Sequence, residues 1–142
     1  MANSCEQILR FTSSEYDRHV VAFGVASLEA PGLTHPVHGY LPPIESLTAF
    51  PSKVRYSDDG CTLWVYWETR RTGPNCLWCA CLSRMFPQAT ITLDYLYAND
   101  LGSARLIWHD GEFADEEDYF APEATETIEE VTARFYRLVE RV

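Results

Sequence analysis

The chain has 142 residues, 46 % of them hydrophobic and 13 % aromatic, enough for one folded domain and too apolar for intrinsic disorder. Its 21 acids against 11 bases give a formal net charge of −10, a field that repels phosphate backbones and argues against direct binding of duplex nucleic acid. No apolar run approaches the ~18 residues that a membrane helix needs.

Cys5–Phe11 alternates, with Cys5, Gln7, Leu9 and Phe11 on one side and Glu6, Ile8 and Arg10 on the other, which predicts a strand. Ser13 or Ser14 then caps a predicted helix from Glu15 to about Pro31-Gly32. Residues 31–52 hold five of the eight prolines and predict a long loop, apolar enough to pack on the body. Strands are predicted at Lys53–Ser57 and Cys61–Thr69, joined by the turn signal Asp58-Asp59-Gly60. Thr72-Gly73-Pro74-Asn75 opens the next helix, whose apolar stripe is Leu77, Trp78, Cys81, Leu82 and Met85, and Pro87 stops it. Two strands follow, Ala89–Tyr97 and Ser103–His109, the second ended by Asp110-Gly111. An acidic loop then leads to a last helix beginning near Pro122, with Ile128, Val131, Phe135, Leu138 and Val142 as its core stripe. The order β-α-(loop)-β-β-α-β-β-α predicts an α+β fold. It fits a ferredoxin-like split βαβ sandwich with an extra strand and a C-terminal amphipathic helix. Residues 1–112 form that domain, with the proline-rich insertion at 31–52, and 113–142 pack on it as acidic loop and helix.

Three stretches carry a family resemblance. They are Met1-Ala-Asn-Ser-Cys5 followed directly by a strand, Trp64-Val-Tyr-Trp-Glu-Thr69 with the later helix end Leu82-Ser-Arg-Met-Phe-Pro87, and the strand pair Ile91-Thr-Leu-Asp-Tyr95 and Gly102-Ser-Ala-Arg-Leu106 ending Asp110-Gly111-Glu112. Together they resemble the YubB ferredoxin-like domain of plasmids and phages over residues 1–12 and 61–112. The chain departs from that pattern at Arg70-Arg71-Thr72-Gly73-Pro74-Asn75 and at Tyr97-Ala-Asn-Asp100. The resemblance implies a fold and a mobile-element origin, and it implies no reaction.

Five cysteines, an odd number, point to free thiols in a reducing cytoplasm, and the N-terminus lacks the basic and apolar regions of a signal peptide. Cys76, Cys79 and Cys81 suggest a metal or redox site, yet no second ligand pair exists, so packed thiols are expected. His35 and His38 read as loop histidines, and His19 and His109 stand alone. Glu68 and Asp94 suggest a carboxylate pair, but pairing with arginine, Arg105 above all, is the better reading. Trp64, Tyr66, Trp67, Tyr95, Tyr97 and Trp108 suggest a stacking platform for single strands, with core packing preferred because the chain has one lysine.

Charge is the remaining signal. From Asp110 to Glu130 there are ten acids and no base, while the rest of the chain balances at eleven of each. Asp110, Glu112, Asp115, Glu116, Glu117, Asp118, Glu123 and Glu126 are the candidate partner-binding residues. The expected partner is a basic host protein, one that handles nucleic acid or serves defence, which the acidic row occludes. No catalytic residue, metal or cofactor is expected. The alternatives are a small-ligand or metal-binding module built on the cysteine helix, and a single-stranded nucleic-acid binder built on the sheet aromatics.

Overall fold

The computed structural model describes residues 4–14, 47–70, 73–97, 102–121 and 123–142. Among them the elements run β1 (Ser4–Thr12), β2 (Leu47–Tyr56), β3 (Thr62–Arg70), α1 (Cys76–Met85), β4 (Thr90–Tyr97), β5 (Ser103–His109), β6 (Glu112–Asp118) and α2 (Ile128–Val139). The helix expected from Glu15, the histidines 19, 35 and 38, and the proline-rich stretch up to Ser46 lie outside the described residues.

The strands form one α+β sheet in the order β2-β3-β1-β4-β5-β6, every neighbour antiparallel. β1 lies inside the sheet, and both of its faces bury apolar side chains, Leu9 and Phe11 on one and Ile8 on the other. Leu9 and Phe11 stand beside Val65 and Leu63 of β3 and beside Leu93 and Ile91 of β4, and all six are fully buried. α1 lays Trp78, Cys79 and Leu82 on this face. Trp78 meets Trp67 edge-on at 5.9 Å, and Phe86 meets Phe11 at 5.6 Å. β3, α1 and β4 form a βαβ unit whose strands run parallel to one another with β1 between them.

A buried polar cluster fixes the entry to α1. Gln7 Nε2 donates to Thr69 Oγ1 at 3.1 Å, and Gln7 Oε1 accepts from the Asn75 backbone N–H at 2.8 Å. Asn75 Oδ1 accepts from Trp67 Nε1 at 2.9 Å. A Cβ at Gly73 would lie 2.1 Å from the Tyr97 hydroxyl, so a larger residue there displaces that ring.

α2 covers the opposite face. Ile8, Leu96 and Phe135 are buried there, with Trp64, Tyr66, Leu138, Val139 and Val142 packed against them. Its start differs from expectation. Thr127 Oγ1 accepts from the Glu130 N–H and the Glu130 carboxylate accepts from the Thr127 N–H, a reciprocal cap that begins the helix at Ile128 rather than near Pro122. Ile128 consequently falls outside the core stripe and is 44 % exposed.

Two expected loops are corrected. β2 begins at Leu47, inside the predicted proline loop, because an edge strand tolerates a proline such as Pro51. The acidic loop is β6. Asp110 and Gly111 adopt φ of 55° and 80°, the two-residue turn that sends a strand back along its neighbour, so His109 pairs with Glu112.

Candidate functional site: the acidic edge strand

β6 pairs with β5 on one side and ends the sheet among the described residues. All seven of its residues are exposed, and five are acids: Glu112, Asp115, Glu116, Glu117 and Asp118. A register shift between Ile107 and Trp108 leaves Ala114 as the extra residue of a bulge, and Phe113 packs edge-on against Trp108 at 5.5 Å. Beyond the bulge the side chains alternate. Glu116 and Asp118 oppose Leu106 and Ala104 and so share the α1 face; Asp115 and Glu117 oppose Ile107 and Arg105 and share the α2 face. Carboxylates thus line both sides of the outer backbone edge.

Each candidate residue has a distinct setting. Asp110 occupies the turn, with Oδ2 3.0 Å from His109 Nδ1. Asp115 Oδ1 accepts from the Glu116 N–H, and Asp118 Oδ1 accepts from the Phe120 N–H, both at 2.9 Å. Glu117 accepts from the Tyr119 hydroxyl at 3.5 Å. The structure therefore gathers Asp110 to Asp118 on one turn and strand, and places Glu123 and Glu126 on the segment leading to α2. Glu126 is already engaged, 2.6 Å from Arg134 Nη2, whose guanidinium lies over the Tyr119 ring at 3.8 Å.

The carboxylate field reaches the cysteine helix. Burial pushes the Cys76 thiol up, and Glu116 adds to it. Burial also pushes Tyr95 up to about 12, with Glu116 and Asp118 contributing. A redox thiol needs a lowered pKa, such as a helix N-terminus can supply, and the net shift at Cys76 runs the other way. Cys79 is fully buried and raised well above 9.0, and burial takes Cys5 to about 12. None of the five cysteines forms a disulfide. Among the described residues no group of three or more His, Cys, Asp or Glu side chains is arranged to hold a metal ion.

The remaining sequence candidates separate. Asp94, 2 % exposed, accepts from Arg105 Nε at 2.8 Å, as expected, and also from Arg10 Nη2 at 2.7 Å. Sequence reading missed Arg10, although its parity on β1, shared with Ile8, faces Asp94. Glu68 stands opposite Glu6, with β1 between it and β4, so it does not pair with Asp94. The six aromatics do not form one platform. Trp67 and Trp108 are buried on the α1 face, with Tyr95 and Tyr97 on the same side, whereas Trp64 and Tyr66 lie beneath α2.

No family model matches the chain, and comparison with curated proteins and with solved structures returns no match. Among the described residues, no helix is long and apolar enough to cross a membrane.

Proposed function

We propose that this chain is a non-enzymatic interaction protein whose acidic edge strand docks on a basic surface of a nucleic-acid-handling or defence protein and occludes it. One observation carries the reading: Glu112–Asp118 is an edge strand with five carboxylates and no buried residue. Packing does not select that composition. Asp and Glu are poor strand formers, and neighbouring like charges oppose ordering. An acidic edge suits a basic partner in two ways. Charge steers the encounter, and the open backbone edge accepts an extended segment as a further strand. The same charges discourage pairing between two copies of the edge.

The fold within this proposal is ferredoxin-like, extended by β5, β6 and α2. The order β2-β3-β1-β4 and the α1 crossing over β1 support it. The mobile-element setting rests on the likeness of residues 1–12 and 61–112 to the YubB domain.

The test is recovery of partners from host lysate on the immobilised chain at low and high salt, beside a variant with Asp115, Glu116, Glu117 and Asp118 changed to Asn or Gln. The reading expects a basic protein retained by the wild type at low salt, lost from the variant, and displaced from its nucleic acid by the wild type. Equal retention on both proteins contradicts it.

A further inference from the structure

The two helices among the described residues are held to the sheet very differently. Among the described residues α1 joins a cluster of fifteen buried hydrophobic residues, three of them its own, Trp78, Cys79 and Leu82, whereas α2 joins a cluster of three, Ile8, Leu96 and its own Phe135. A narrow crevice between α2 and strands β4 and β5 is lined by Asp94, Arg105, Tyr119, Val131, Arg134 and Phe135 among others. Among the described residues two hydrogen-bonded ties join α2 and its C-terminal end to the strands. The Glu6 carboxylate accepts from the Tyr66 hydroxyl at 2.5 Å and from the Tyr136 hydroxyl, and Arg55 Nη1 donates to the Arg141 carbonyl at 2.7 Å. Among the described residues one further contact reaches the sheet side, the Arg134 guanidinium over the Tyr119 ring, and the rest are local to the helix's own stretch of chain. The Thr127–Glu130 cap and the Glu126–Arg134 pair survive if the helix lifts away, whereas the Arg134–Tyr119 stack is lost. Tyr119 itself stays with the sheet, its N–H bonded to the Ser103 carbonyl at 2.9 Å.

We propose that α2 is a lid: it opens as a unit about the segment after Tyr119 while α1 and the six strands stay folded, uncovering Ile8, Leu96, Trp64 and Tyr66. Opening breaks the apolar contact beneath α2, two hydrogen-bonded ties and the Arg134–Tyr119 stack, and leaves the core beneath α1 untouched. Local unfolding of this kind costs less than global unfolding, in proportion to the contacts that are lost.

Hydrogen exchange on the full chain at neutral pH tests this. Amides of residues 131–139 should exchange at least about a hundredfold faster than those of β1 and β4. Tyr136→Phe removes one tie to Glu6 and should speed the α2 amides roughly tenfold or more while leaving β1 and β4 unchanged. α2 amides that exchange at the rate of the central strands overturn the proposal. So does a Tyr136→Phe variant that speeds helix and strands alike.

Discussion

β1 and β6 belong to one sheet and are built on different terms. β1 is covered on both faces, and its alternation of Leu9 and Phe11 with Ile8 and Arg10 is what α1, α2 and the flanking strands demand. β6 has no buried residue, and among the described residues none of its five carboxylates is packed into the core. Residues under packing constraint explain the fold, while an exposed acidic row is explained by water or by a partner. The contrast predicts that stability resides in the first strand's surroundings and association in the last.

The largest effect on stability is expected in the core around β1. Trp67→Ala removes a fully buried ring, its edge contact with Trp78 and its bond to Asn75, and should cost about 3–5 kcal/mol in chemical denaturation. Asp94→Ala leaves Arg10 and Arg105 without their anion. Those side chains keep 24 % and 28 % of their surface exposed, so the expected loss is about 2–3 kcal/mol, below that of a fully buried pair.

Alkaline pH attacks the same region. Burial raises Cys5 from 9.0 to about 12 and Tyr136 from 10.0 to about 12, the latter helped by Glu6, and Tyr66 rises further. The folded state therefore holds these protons more tightly than the unfolded chain. Stability from these groups is complete below pH 9 and is lost as pH rises from about 9 to 12. A series of melts across that range should show a steady fall in Tm beginning near pH 9. A Tm that holds to pH 12 contradicts the burial of these groups.

The smallest effect on stability is expected at the edge. Changing Asp115, Glu116, Glu117 and Asp118 to Asn or Gln keeps the acceptors used by the Glu116 and Phe120 N–H groups and removes the repulsion. Denaturation should move by no more than about 0.5 kcal/mol, and toward greater stability.

Legibility in the sequence followed the same divide. The core strands were readable because packing imposes a period of two, and α1 because its apolar stripe and Pro87 bound it. β6 was hidden because carboxylates carry no apolar alternation, although Asp110-Gly111 was a hairpin signal in plain view. The α2 start was encoded in Thr127-Ile-Glu-Glu130, which the more conspicuous Pro122 outweighed. The candidate acids were visible as a run of like charge. Their arrangement on two sides of a backbone edge depends on pairing with β5, which no local pattern announces. Arg10 as a partner of Asp94 was equally non-local, set by the β1–β4 register.

The central claim concerns association through the acidic edge, and its most direct test is kinetic. Surface plasmon resonance against the partner recovered from lysate compares the wild type with the fourfold neutralised edge at two salt concentrations. Exposed charges act mainly on the encounter, so the on-rate should fall roughly tenfold at low salt and lose most of its salt dependence, with a smaller change in off-rate. An unchanged on-rate and salt slope would contradict the account and leave β6 as a solubilising edge.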